Sequence, residues 1–202
     1  MIEGGITGIA AGILSFAAYL LYIVATLRGT TKPNRATWWI LTLVGSLIAA
    51  SYYSGGARNT IWIALSYVLG PAIIAVLSLW YGEGKWDRLD KVCLTGALIS
   101  GAVWYFSESS LVALLTNILI DFLGLLPTVK KSYLRPTGED RPAWTLECMA
   151  STLNIFAIER WAFAIAFYPL YLLLINGTVT FFLYLPILKR LSPQKSPKTP
   201  TA

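Results

Sequence analysis

Two acidic side chains stand inside otherwise apolar runs, Asp121 in Leu111–Val129 and Glu147 in Ala143–Ile158. Charge in such a setting is costly and functional by default. Asp121 lies about ten residues into its run, which at about 1.5 Å per residue is near mid-bilayer. No Lys or Arg shares that depth in any run. The carboxyl group must be neutral, solvated by a cavity, or paired with a visiting cation. Reversible protonation makes Asp121 the leading candidate for proton coupling or for binding a cationic solute. Glu147 lies one turn inside the end of its run. Proton coupling and a plain ion pair with Lys130 or Arg141 are both open to it.

Helical spacing gathers further polar groups around these two. Ala113, Asn117, Asp121, Gly124 and Thr128 share one face, and so do Glu147, Ser151 and Asn154. Asn176 and Thr180 share a face of a later run, with Asn176 near its middle. Such stripes should turn toward a bundle interior or a wet cavity, not toward lipid. For Asn117 and Asn154, gluing helices together is as good a reading as touching a substrate. Earlier in the chain, Gly8, Gly12, Ser15, Tyr19 and Tyr22 form a stripe of small and aromatic residues. It predicts close packing and an aromatic wall, with Tyr19 a substrate contact. Pro71 and Pro127 are candidate hinges, because a proline inside a helix removes a backbone hydrogen bond. Prolines are also simply more frequent in membrane helices.

These side chains need elements to hold them. Of the 202 residues 56% are hydrophobic and only 13% charged, where a soluble domain carries about 25% charged residues. Apolar runs cover Ile6–Leu27, Ala36–Tyr53, Thr60–Tyr81, Val92–Phe106, Leu111–Val129, Ala143–Ile158 and Ala162–Leu188. They predict an all-α integral membrane protein of seven transmembrane helices. Alternate connections collect 14 of the 16 basic residues on one side, leaving Arg58 and Arg160 on the other. Cytoplasmic loops carry the Lys/Arg excess, so the N-terminus is expected outside and the C-terminus cytoplasmic. A bacterial inner membrane suits the short loops. The net charge of +6 is then a topology signal and does not call for nucleic acid. The N-terminal run is too long, and its flank too poor in Lys and Arg, for a cleavable signal peptide.

Two connections resemble one another. Arg35 and Trp38 recur as Arg141 and Trp144 at a constant offset of 106 residues. Leu69-Gly70-Pro71 has a counterpart near Ile175-Asn176-Gly177. This predicts two parallel three-helix repeats, residues 1–82 and 109–188, joined by a linker helix in 83–108. Residues 189–202 are expected to form a disordered cytoplasmic tail. Parallel repeats about an axis along the membrane normal occur in transporters.

The segment Pro127-Thr-Val-Lys130-Lys131-Ser-Tyr-Leu-Arg-Pro136-Thr-Gly-Glu139 resembles the loop of the PQ-loop family, which includes the SWEET sugar carriers and the lysosomal cystine and cationic amino-acid exporters. Thr128 stands where that family has glutamine, and Tyr22 takes the place of the first repeat's proline. The resemblance implies a three-one-three helix layout and a mid-membrane substrate contact at Asn176.

The function expected from these residues is small-solute transport by alternating access, coupled to protons through Asp121 or Glu147. Asp121, Asn117, Asn154, Asn176, Ser151 and Tyr19 would contact the solute. The alternative is a non-transporting receptor or sorting protein on the same scaffold. The expected partners are a small polar or cationic solute and the lipid bilayer, with self-association also open. No cofactor or metal is expected, since histidine is absent and Cys93 and Cys148 sit alone in apolar stretches. An enzyme is disfavoured for want of a paired-Asp, HExxH or Ser–His arrangement.

Overall fold

The computed structural model describes residues 2–84, 86, 88–107, 109–136 and 139–191. Seven helices follow in order: α1 (Ile2–Leu27), α2 (Arg35–Ser54), α3 (Ile61–Tyr81), α4 (Arg88–Ser107), α5 (Ser110–Leu134), α6 (Arg141–Phe156) and α7 (Phe163–Leu191). The chain is an all-α membrane protein. By length and composition α1, α2, α3, α5 and α7 are the five helices able to cross a bilayer. The other two fall short of the about 20 apolar residues a span needs. The apolar part of α4 is Lys91–Phe106, and α6 has 16 residues.

Several helices outrun their apolar stretches. α5 continues through Lys130 and Lys131 to Leu134, and α7 reaches Leu191, inside the segment expected to be disordered. The tail beyond 191 lies outside the described residues. α3 and α7 run unbroken through Pro71, Pro169 and Pro186, and α5 is continuous through position 127.

The helices pack in a regular order. α3 lies against both α1 and α2, and α7 against both α5 and α6. Across the middle, α1 packs on α6 and α2 on α5. These six pairings are unchanged when α1, α2 and α3 are exchanged with α5, α6 and α7. α4 stands apart, resting on α5 and α2. The apolar face of α2, Ile40, Val44 and Ile48 at four-residue spacing, meets Ile63 and Ala64 of α3 and Leu114 and Ile118 of α5 in the core.

The two sets of three also begin their second helices alike. Asn34 caps α2 by accepting from Thr37 N, and Asp140 caps α6 by accepting from Ala143 N, at 3.1 and 3.0 Å. Each cap satisfies a backbone N–H that the helix itself leaves unpaired. Both pairs are 106 residues apart, as are Trp38 and Trp144 four residues further on.

Candidate functional site

A cavity of about 370 Å³ opens between the two sets of three helices. From α1 it takes Ala18, Tyr19 and Tyr22, and from α5 Gly124, Leu125 and Thr128. Each of these is 106 residues from its counterpart. α2 and α6 contribute Trp38 and Leu41 against Trp144 and Glu147, again at that offset. Asp121, Tyr67, Tyr168 and Asn176 line it deeper in. At one end it reaches Lys32, Asn34, Glu139 and Asp140 of the α1–α2 and α5–α6 connections, and Lys32 is exposed. That end is braced from the side: Arg35 N donates to Glu83 O, Glu83 N to Pro33 O, and Arg35 Nε to Ser78 O.

The opposite end is tied shut. Glu159, on the α6–α7 connection, accepts from the backbone N–H of Arg58 and Asn59 at 2.5 and 3.3 Å. Beneath it the buried Tyr52 hydroxyl donates to Ile165 O at 2.6 Å and lies 2.7 Å from Thr60 Oγ1. The cavity reaches the α1–α2 and α5–α6 connections, whereas the α2–α3 and α6–α7 connections are joined to each other.

Asp121 is half-buried, and the Tyr171 hydroxyl donates to its Oδ2 at 2.5 Å. Its other oxygen has no hydrogen-bond partner among the described residues. The carboxyl group is thus held by a neutral phenol on α7 and faces the cavity.

Glu147 makes neither of the ion pairs open to it in the sequence. It is 7% exposed, not at the interface, and its partners are neither Lys130 nor Arg141. Ser15 Oγ donates to both carboxyl oxygens at 3.0 Å, and Tyr67 Oη to one at 3.1 Å. Ser66 Oγ lies 2.6 Å behind Ser15. Asn176 Nδ2 donates to Tyr67 Oη at 2.9 Å and to Ser151 Oγ at 2.8 Å, and Ser151 donates to the Glu147 backbone carbonyl at 2.8 Å. Side chains of α1, α3, α6 and α7 therefore close one polar ring. The physical reason is the position of α6, which packs on α1 and α7 and turns its polar stripe inward.

The remaining sequence candidates divide. Tyr19, Asn176 and Pro71 line the cavity, while Ser151 acts behind it through Asn176 and Glu147. Asn117 does not reach it. Its amide donates to Ser100 Oγ of α4 and to Ala113 O, both at 2.8 Å, so it fastens α5 to the odd helix. Asn154 is fully buried, does not line the cavity, and has neither amide atom bonded among the described residues. The side chain of Pro127 lies outside the described residues. Tyr67 and Tyr171 were missed. Their signal was a tyrosine in mid-run, whose hydroxyl needs a partner once buried.

A second hollow, of about 510 Å³, lies among α2, α4 and α5 beside Trp104 and Tyr105, and no carboxyl or basic group lines it among the described residues. Comparison with protein-family models, curated proteins and solved structures found no match to this chain.

Proposed function

We propose that the protein is a small-solute transporter that works by alternating access. The observation that carries this reading is a polar cavity lying between two equivalently packed sets of three helices, open at one end and latched at the other. A carrier needs that combination: a central site, and two bodies able to rock about it. The constant offset of 106 residues among the lining pairs supports treating residues 1–82 and 109–188 as repeats, with 83–108 as linker. In the sequence the basic residues fall mostly in the connections on the Lys32 side, with Arg58 and Arg160 in those on the Glu159 side. By the charge rule for loops, the mouth would face the cytoplasm, in keeping with the PQ-loop likeness of residues 127–139.

Two intramembrane carboxyl groups without a basic partner support proton coupling. Glu147 is the better proton site, because its neighbours are neutral hydroxyls that can bond it with or without a proton. Asp121 is better placed to meet the solute. The test is gradient-driven uptake into proteoliposomes. Glu147→Gln should stay folded and exchange solute down its gradient, but lose accumulation driven by a proton gradient. Undiminished gradient-driven accumulation by this variant overturns the coupling role.

The latch at Glu159 also favours a second reading, a receptor that binds solute from one side and never releases it on the other. Counterflow separates the two: a carrier exchanges labelled for unlabelled solute across the bilayer, and a receptor does not.

A further inference from the structure

The walls of the cavity point to the kind of solute, on the reading that this cavity is the binding site. Among the described residues it is lined by four carboxyl groups (Asp121, Glu139, Asp140 and Glu147) and one ammonium, Lys32 at the mouth. The acids are not equally available. Asp140 caps α6 and Glu147 is enclosed by Ser15 and Tyr67. Glu139 accepts from the Trp144 indole N–H at 3.3 Å. Asp121 lines the cavity away from the connections, and its Oδ1 has no partner among the described residues; Asp140 Oδ2 is likewise unpartnered there, but at the mouth beside Lys32.

Around Asp121 the surface is aromatic. The Tyr19 ring stands at 77° to Trp38 and 87° to Tyr67, with centroids 6.5 and 5.7 Å apart. Rings so nearly perpendicular form the corner of a box, not a closed stack. Tyr22 leans on Trp38 with centroids 4.8 Å apart, and Trp144 stands at the position equivalent to Trp38. Electron-rich rings attract cations, most strongly where water is excluded. A sugar would find few donors here for its many hydroxyls, and a carboxylate would be repelled by Asp121.

We infer that the cavity takes a small organic cation that carries no carboxylate, with its ammonium against Asp121 Oδ1 and its alkyl groups against Tyr19 and Trp38. At about 370 Å³ the space lies toward the small end of ligand cavities, which run from about 300 to 1,000 Å³.

The test uses the full-length purified protein and three probes of similar size: choline, glycine betaine and glucose. Betaine keeps the quaternary ammonium of choline and adds the carboxylate, so the pair isolates that group. Calorimetric titration should show choline binding at least about tenfold more tightly than either of the others, the size of a single ion–ion preference in a partly dry site. Asp121→Asn should weaken choline by about thirtyfold or more, as loss of one member of a buried charge pair does. Thr128→Lys adds a cation to the same face two turns away and should also weaken it, which keeps the question answerable if Asp121→Asn does not fold. Betaine or glucose binding as tightly as choline, no choline binding, or choline binding unchanged in the variant that folds overturns the assignment. Counterflow keeps this apart from the transport reading. Choline that binds but does not exchange leaves the cation site standing and removes transport. Glucose that exchanges where choline does not removes the cation site and keeps transport.

Discussion

Where α2 has Leu41, the equivalent place on α6 has Glu147; where α1 has Ser15, α5 has Asp121; where α3 has Gly70, α7 has Asn176. The same packing scheme therefore carries different chemistry in its two halves. α1–α3 supply hydroxyls, rings and close backbone contacts. α5–α7 supply the acids and amides. Gly45 and Ser151 show how the exchange works. A side chain at Gly45 would run into the Tyr67 carbonyl, so α2 and α3 meet backbone to backbone. At the equivalent place Ser151 reaches Asn176 by a hydrogen bond. At Gly70 a Cβ would overlap the Tyr19 ring, and that ring is part of the cavity wall. The first half makes room, and the second half fills room with polar groups.

The largest effect should come from breaking the close contact. Gly45→Leu should cost about 3 kcal/mol or more, since backbone cannot yield to the new side chain. Size-exclusion of the detergent-solubilised variant should show aggregate, and a monodisperse peak would refute the close approach. Next is the polar counterpart: Asn176→Leu removes the donor to the Tyr67 and Ser151 oxygens, leaving each hydroxyl only its own bond to Glu147, and should cost about 1–3 kcal/mol, read from the unfolding midpoint. Glu159→Ala should cost about 1 kcal/mol, as loss of a capping side chain does. Hydrogen exchange at Arg58 and Asn59 should rise with it; if protection there is unchanged, Glu159 is not the latch. The smallest effect has the opposite sign. Asn154→Leu removes a buried amide that has no partner, so stability should be unchanged or rise by under about 1 kcal/mol. A clear loss of stability would mean that water or a second conformation satisfies Asn154.

Helix placement was legible because lipid demands long apolar runs, and each expected run overlaps one observed helix. Lengths were less so: α4 starts at Arg88, not Val92, because nothing in a run of hydropathy marks a helix end among charged residues. The stripe containing Asp121 was readable from helical spacing, since the neighbours that matter lie on the same helix. The partners of Glu147 were not. Ser15 is 132 residues away and Tyr67 is 80, and only tertiary packing brings them together. Depth along one helix suggested an interface, whereas enclosure by α1 and α7 decides the environment. Asn117 failed for the same reason: its face of α5 meets α4, and no spacing rule says which of two inward directions a residue takes.

The contact between α1 and α6 bears on how the protein is made. α6 has 16 residues, of which Glu147, Ser151 and Asn154 are buried polar groups, so it partitions poorly into lipid alone. α1 leaves the ribosome before α6, and Ser15 then has Ser66 of α3 beside it but not yet the Glu147 carboxyl group. A nascent chain halted before Arg141 would keep the Ser15–Ser66 contact but lack the carboxyl group that both oxygens of the pair lead to. For α6, folding and tertiary assembly become a single step, because the partners of its acid lie on helices made earlier in the chain.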